Sequence, residues 1–318
     1  MSAKPKVAFY WCASCGGCEE AVVDLNGGLL DTANAVDIVL WPVAMDFKYH
    51  HIEAMADREI AVSFINGAIR TDEQAHVAAL LRQKSVLVVA FGSCAHLGGI
   101  PGLADLTTKA AIFDRSYLAS PTVVNAEKTE PKTASATQEV TLPGFWEQVF
   151  ALDQVIDVDY YLPGCPPMPQ GVGDAVEAIL SGKLPEKGSV LAPAKALCDT
   201  CERRKTRGAR TRLSRIYRPH EIEADPEICL LEQGIICMGP ATRSGCGEAC
   251  IQANMPCTGC YGPPPGVEDQ GAKMLAALAS LFAARTEEEA RAMAAQVIDP
   301  AGTFSRYSAA AALSARKL

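Results

Sequence analysis

The sequence KVAFYWCASCGGCEE, at residues 6–20, joins an apolar run directly to a turn that carries three cysteines. The first six residues, Lys6–Trp11, are rich in the β-branched and aromatic types that favour a buried strand. The residues after the turn have helical periodicity, which we expect to continue to about residue 29. The stretch therefore predicts a strand, a cysteine-bearing turn and a helix in direct succession.

The same alternation continues through the first half of the chain. Apolar runs predict strands at residues 36–40, 60–65, 85–91 and 155–162, and periodicity predicts helices at residues 71–84 and 170–181. Strands that alternate with helices predict an α/β fold built on a parallel sheet. Residues 120–139 lack periodicity, so we interpret them as a surface excursion from this domain.

We expect an α/β domain at residues 1–190, a smaller domain at 191–270 and a helical extension at 271–318. The smaller domain is predicted to have little regular structure, because eight cysteines fall within 63 residues and periodicity is weak. Metal clusters are expected to supply the cross-links that a hydrophobic core would otherwise provide. The last twenty residues are interpreted as a peripheral tail.

The overall composition excludes several classes of function. Acidic residues outnumber basic ones by 37 to 29, and this net charge of −8 argues against nucleic acid or an anionic membrane as the main partner. No apolar run approaches the roughly 20 residues of a membrane span, and we find no secretory segment, so a cytoplasmic location is expected. The chain has no Walker or GxGxxG motif, which argues against a bound flavin or nicotinamide.

Thirteen cysteines in a chain expected to be cytoplasmic need a chemical reason. Thiols stay reduced in that compartment, and an odd number fits a disulfide framework poorly. Metal binding is therefore the leading interpretation.

Four of these cysteines follow predicted strands. Cys15 and Cys18 follow the first strand, Cys94 follows the strand at 85–91, and Cys165 follows the strand at 155–162. Because the carboxyl ends of parallel strands share one edge of a sheet, the four thiols are expected to converge there. Neighbouring glycines would let backbone amides approach a bound cluster. Tetrahedral zinc and scattered buried thiols are the alternatives.

The eight later cysteines divide naturally into two sets of four. One set is Cys198, Cys201, Cys229 and Cys237, and the other is Cys246, Cys250, Cys257 and Cys260. Ligands that interleave between the sets are an alternative, as in two-cluster ferredoxins. The thirteenth cysteine, Cys12, is interpreted as a buried thiol, although it also forms a CxxC with Cys15 and so competes as a ligand.

Together these motifs resemble the small subunit of [NiFe]-hydrogenases. The resemblance is strongest to the cytoplasmic viologen-reducing, coenzyme-F420-non-reducing type associated with heterodisulfide reductase, and it covers about residues 4–280. The motifs that carry it are WCASCGGCEE (11–20), FGSCAHLGGIPGL (91–103), YYLPGCPPMP (160–169), LCDTCERR (197–204), ICMGPATRSGCGEAC (236–250) and PCTGCYGP (256–263).

The resemblance implies a flavodoxin-like first domain and a relay of three [4Fe–4S] clusters. The proximal cluster, on Cys15, Cys18, Cys94 and Cys165, would lie nearest a nickel–iron site held by a separate large subunit. The Cys246 set would hold the medial cluster and the Cys198 set the distal one. Electrons would then pass to a third subunit, an iron–sulfur or flavin protein, and no catalytic residue is expected in this chain.

Departures from the family pattern carry information. Periplasmic relatives have His in place of Cys198, and they have Pro in place of Cys250 with a three-iron medial cluster. A fourth thiolate favours a four-iron cluster of lower potential. Gly16 and Gly17 stand where oxygen-tolerant relatives carry an extra cysteine. Asn66 stands where relatives often have Glu, which argues against a proton-transfer role there.

A few polar residues near the cysteines have competing interpretations. Glu19 and Glu20 suit the first turn of a helix, or else lie near the large-subunit interface. His96 is a packed loop residue or a donor to a cluster sulfur. The basic stretch at residues 203–212 is a solvated loop or a docking face for an acidic electron carrier.

Three other functions compete with the hydrogenase interpretation. The quinone-linked subunit of respiratory complex I shares the first domain, but the eight later cysteines argue against it. A relay in a hydrogenase-like complex without nickel is the second, and a zinc-stabilised scaffold is the third.

Overall fold

The computed structural model describes residues 4–131, 142–206, 208 and 212–313. Its strands are β1 (Lys6–Trp11), β2 (Asp37–Leu40), β3 (Ile60–Asn66), β4 (Ile69–Thr71), β5 (Ser85–Phe91), β6 (Phe145–Phe150) and β7 (Tyr160–Leu162). Five of them form one sheet in the order β2-β1-β3-β5-β7, with every neighbouring pair parallel. This is the flavodoxin-like order, so the predicted α/β fold is confirmed.

The helices cover both faces of this sheet and continue through the second half of the chain. They are α1 (Gly17–Val23), α2 (Gly27–Ala35), α3 (Tyr49–Glu53), α4 (Asp72–Lys84), α5 (Ser93–Leu97), α6 (Lys109–Phe113), α7 (Pro169–Leu180), α8 (Leu197–Thr200), α9 (Ala249–Gln252), α10 (Gln270–Ala279), α11 (Glu287–Ala294) and α12 (Pro300–Phe304). Short 3₁₀ turns add Ile100–Leu106, Leu152–Gln154, Glu202–Thr206 and Gly239–Ala241. None of the helices described in this structure is long and apolar enough to cross a membrane.

Two predicted elements differ in extent from the observed ones. The helix expected to reach residue 29 is interrupted at Asn26, whose positive φ of 52° separates α1 from α2. The strand expected at 155–162 is limited to β7, because Leu152 accepts amide bonds from Val155 and Ile156 and holds the preceding residues in a turn. Both differences move an element boundary and leave the sheet topology as predicted.

The last residues of the described chain contradict the predicted peripheral tail. Phe304, Ser308 and Ala310 are buried. The Tyr307 carbonyl accepts a bond of 3.0 Å from the amide of Gly99, which lies just after β5 and α5. This segment, residues 299–313, therefore packs across the α/β domain. Its apolar residues show no helical or strand period, and so the sequence contains little sign of their burial.

The cysteine-rich part of the chain also has a hydrophobic core. Leu197, Leu231, Ile235 and Met238 pack with Met274, Leu278, Met293 and Phe304 from the C-terminal helices. The expectation that clusters replace a core here is therefore wrong. Its residues come from several stretches between Leu197 and Cys257 and from the C-terminal helices, so no single local pattern in the sequence indicates this core.

Candidate iron–sulfur sites

The first four predicted ligands meet at the carboxyl edge of the parallel sheet. Cys15 and Cys18 lie in the turn after β1 and in α1, Cys94 lies in α5 directly after β5, and Cys165 follows β7. Burial raises the pKa of the Cys18 thiol, and the nearby Cys94, Cys165 and Cys15 thiols raise it further. Burial, followed by the Cys165 thiol, raises the pKa of Cys94 to about 12. The fold thus brings together four thiols that repel one another when ionised, as cluster ligands do before metal binds.

Two glycines let the backbone lie against this thiol set. Gly92 has a φ of +85° and Gly99 a φ of +55°, conformations that glycine adopts readily. A Cβ atom added at Gly92 would overlap Cys18 Sγ, and one added at Gly99 would overlap Cys94 Sγ. At both glycines the backbone lies directly against a thiol because no side chain intervenes. This is expected where main-chain amides approach an anionic cluster.

Replacing Gly92 with alanine is expected to empty the proximal site. The variant combines strain of about 1–3 kcal/mol, from a conformation (φ 85°, ψ 167°) that is essentially restricted to glycine, with the overlap on Cys18 Sγ, so iron should fall by about four atoms per chain. Gly188→Ala is the matched control, because its φ of +86° is also positive while nothing lies within 4 Å of the added Cβ. Equal iron contents in the two anaerobically purified variants would contradict the claim that the first set needs the close approach of the Gly92 backbone.

A second set of four thiols surrounds a cavity beside the first. Cys246, Cys250, Cys257 and Cys260 line this cavity of about 220 Å³. Cys165 of the first set lines the same cavity. Burial raises the pKa of Cys260 to about 12, and the backbone amide of Cys165 lowers it against that effect. The four cysteines that the sequence groups together therefore line one cavity, and their role as one ligand set stays a prediction.

The third set lies in a more apolar cavity. Cys198, Cys201, Cys229 and Cys237 line it together with Leu197, Leu230, Leu231, Pro240 and Ile251. Burial raises the pKa of Cys237 to about 11, although the amides of Gly239 and Cys257 oppose the rise. A low-dielectric wall around four thiols strengthens any hydrogen bond or charge that acts on a cluster held there.

Neighbouring cysteines connect the three sets in series. Cys165, in the first set, lines the cavity of the second set together with Cys260. The amide of Cys257, in the second set, donates to Cys237 Sγ of the third over 3.4 Å. A cysteine of one set therefore lies beside a cysteine of the next at both junctions.

The donor chemistry suits iron–sulfur clusters. All three sets offer four thiols and no carboxylate, which soft metal centres and clusters prefer. Among the residues that the structure describes, no three His, Cys, Asp or Glu side chains converge as for a single metal ion. The residues present therefore fit a thiolate-bound metal centre or cluster at each set.

The thirteenth cysteine does not join any set. Cys12 packs in the apolar layer that includes Tyr10 and Ile65, whereas Cys18 packs in the layer on the other face of the sheet. Burial alone raises the pKa of the Cys12 thiol. This position supports the interpretation of Cys12 as a buried thiol and gives it no contact with the first set.

The polar residues singled out beside the cysteines have structural partners. Glu19 is buried in α1, where it accepts bonds from Trp41 and, over 2.7 Å, from Asn66 Nδ2. Burial raises the pKa of Glu19, and these two donors lower it in opposition. His96 is buried with its ring centroid 4.7 Å from that of Tyr161, and burial lowers its pKa to about 4. His96 therefore packs as a neutral ring.

The predicted basic stretch is not a uniform surface. Arg204 and Lys205 are exposed and pair with Asp199 and Glu202, whereas Arg203 is buried against the third cavity. Residues 207 and 210 lie outside the described part of the chain. The charge pattern contains no sign that one arginine of the run is buried.

Comparison with known proteins gives consistent matches. The family described as NADH ubiquinone oxidoreductase, 20 Kd subunit, matches residues 15–179, which end before the eight later cysteines. The iron-sulfur subunit of the F420-non-reducing hydrogenase of Archaeoglobus profundus is 42% identical over 87% of this chain and 88% of its own length. The corresponding F420-non-reducing hydrogenase subunit of Methanothermobacter marburgensis is 36% identical over 100% of this chain and 98% of its own.

A solved structure extends the likeness of fold to the second half of the chain. A [NiFeSe] hydrogenase chain from Desulfovibrio vulgaris Hildenborough superimposes with a TM-score of 0.53 at 16% identity. The match covers 84% of this chain and 96% of that one. The matched fold therefore extends beyond the sheet domain into the second half of the chain.

Proposed function

The chain belongs to the family of F420-non-reducing hydrogenase small subunits, and from this membership we propose that it relays electrons through three [4Fe–4S] clusters to a further acceptor subunit. It is an electron-transfer subunit of a hydrogenase, and the catalytic metal site lies in the large subunit. When bound, the clusters supply one-electron chemistry that no side chain of this protein offers. The chain's own task is to hold and insulate them and to adjust their potentials.

One observation carries the proposal: at each junction a cysteine of one thiol set lies beside a cysteine of the next. Cys165 lines the cavity of the second set together with Cys260, and the amide of Cys257 donates to Cys237 Sγ. This succession supports the order proximal, medial, distal. An amide that donates to a thiolate also stabilises the more negative state of a cluster.

The large subunit is proposed to dock on the carboxyl edge of the sheet. Cys15 is exposed there, and the exposed apolar side chains of Trp11, Val43, Met45 and Met168 lie at or just after the carboxyl ends of β1, β2 and β7. Apolar and aromatic side chains around a functional group are typical of an interface core. This position would bring the first set next to the partner's nickel–iron site.

The acceptor subunit is proposed to dock near the third set. Ile228 and the charged side chains of Arg204 and Lys205 are exposed beside that cavity. An iron–sulfur or flavin protein with an acidic surface would complement these charges and gain in association rate.

Hydrogen-dependent reduction tests this function. The chain would be purified anaerobically alone and in complex with its large subunit, and iron–sulfur absorbance would be followed after addition of H2. We expect bleaching only in the complex, while dithionite bleaches both preparations. Bleaching of the isolated chain by H2, or a complex that responds to dithionite alone, would refute the assignment.

Replacing Cys250 tests the four-iron character of the medial site. The Cys250 thiol is exposed at the edge of its cavity, so Cys250→Ala should leave three thiolates without disturbing the core. We expect the loss of about one iron per chain and a higher medial potential, because one negative charge is removed. The oxidised variant should show the EPR signal of a three-iron cluster. Met255→Ala, on a neighbouring exposed position, is the control, and identical spectra in the two variants would contradict a fourth thiolate ligand.

A further inference from the structure

Arg203 is a buried cation in a part of the chain where the neighbouring basic side chains face solvent. It lies in the 3₁₀ turn that follows Cys201, and only 8% of its surface is exposed. Its Nη2 donates to the Ile251 carbonyl over 2.9 Å and to Asn254 Oδ1 over 3.0 Å. These two acceptors fix the plane of the guanidinium group.

The second terminal nitrogen of Arg203 has no such partner. Nη1 is buried, and no acceptor within the described residues bonds to it. The acidic side chains nearest in sequence, Asp199 and Glu202, pair with Arg204 and Lys205 instead. A buried donor left without an acceptor costs roughly 1–3 kcal/mol, and more when it is charged. Arg203 therefore lacks both a hydrogen-bond acceptor for Nη1 and a counter-charge among these neighbours.

The third cavity, where the distal cluster is expected, offers both a hydrogen-bond acceptor and a counter-charge. Arg203 lines that cavity together with the four thiols of Cys198, Cys201, Cys229 and Cys237. Most other lining residues are apolar, with no carboxylate among them. Four thiolates around a cluster form an anionic group with sulfur acceptors. The cluster proposed to bind beside Arg203 would therefore supply the acceptor and the negative charge that Arg203 lacks.

We propose that Arg203 Nη1 donates a charge-assisted hydrogen bond to the distal cluster and thereby raises its reduction potential. The inference rests on the proposed function, because it requires a cluster on the Cys198 set. An arginine keeps its charge at any physiological pH. Reduction adds one negative charge to the cluster, so the buried cation stabilises the reduced state more than the oxidised one. Arg203 thus contacts the cluster directly and offsets the potential-lowering effect of the fourth thiolate, Cys198.

The test compares Arg203→Gln with Lys205→Gln in the complex with the large subunit. Both variants remove one positive charge from the same turn, but the side chain of Lys205 is 74% exposed. The distal signal in an EPR-monitored redox titration is identified as the one that a Cys229→Ser variant lacks. At a fixed solution potential, we expect Arg203→Gln to lower the ratio of reduced to oxidised distal cluster at least tenfold, about 59 mV for one electron. The other two titration steps should not move.

Other outcomes separate the inference from the proposed function. A distal shift in Arg203→Gln no larger than that in Lys205→Gln, with iron content unchanged, would overturn the role of Arg203 alone. A wild-type spectrum identical to that of Cys229→Ser would instead refute the distal cluster itself.

Should Arg203→Gln lose its distal iron, the decisive measurement is made on the wild type and on Arg203→Lys. Electron–nuclear double resonance of protein labelled with ¹⁵N-arginine should show guanidinium nitrogen coupled to the reduced distal cluster. That coupling should persist in Arg204→Gln and be absent from Arg203→Lys. Its absence from the wild type would overturn the inference.

Discussion

A Cys94→Ser variant is expected to leave the medial and distal clusters in place but beyond the reach of electrons from H2. Cys94 is buried in α5 and belongs to the first thiol set alone. Its loss should remove about four irons per chain and interrupt the series at its first member. Dithionite, which reaches clusters directly, should still reduce the remaining two. The rate of H2-driven dye reduction should fall by more than the roughly 10- to 100-fold that loss of a supporting contact costs.

Cys12→Ser provides the matched control for this variant. It makes the same chemical change at a buried thiol a few residues from the same site. Because Cys12 packs in the layer on the other face of the sheet, its variant should retain all its iron and its H2-driven activity. Loss of iron from Cys12→Ser with retention in Cys94→Ser would reverse our assignment of the first set.

A Cys229→Ser variant is expected to give the opposite result at the other end of the relay. Cys229 lines the third cavity, so about four irons should again be lost. H2 should still reduce the proximal and medial clusters in the complex, because both precede the missing distal cluster in the proposed order of electron transfer. Transfer to the acceptor subunit should fall by a similarly large factor. The measurement is stopped-flow absorbance of the complex with H2, with and without that acceptor.

Together the two variants test the order of the sets as well as their existence. If the distal set lay nearest the large subunit, Cys229→Ser would abolish reduction by H2, and Cys94→Ser would retain it. If the sets were independent of one another, neither variant would change how H2 reduces the remaining clusters.

The sequence predicted most of the α/β domain because its signals are local. β1 and β5 begin and end where their apolar runs do, and α4 begins within one residue of the predicted helix, with Thr71 as its cap. The placement of Cys15, Cys94 and Cys165 after three strands then followed from the geometry of parallel sheets. The fold class and the convergence of these thiols needed no information beyond the pattern.

The features that the sequence did not predict depend on contacts between distant residues. Ala310 is buried because Gly98 and Gly102 leave room for it. No sequence pattern within residues 299–313 indicates a contact with those glycines. Met274 and Leu231 join one core although they lie in widely separated stretches of the chain. Arg203 has two basic neighbours, and only its bonds to Ile251 and Asn254 distinguish it from them.

Iron and acid-labile sulfide analysis of the anaerobically purified chain tests the central claim most directly. Three four-iron clusters predict about twelve iron atoms and about twelve sulfides per chain, with no stoichiometric zinc. About four irons per chain, or zinc without sulfide, would contradict a relay of three clusters.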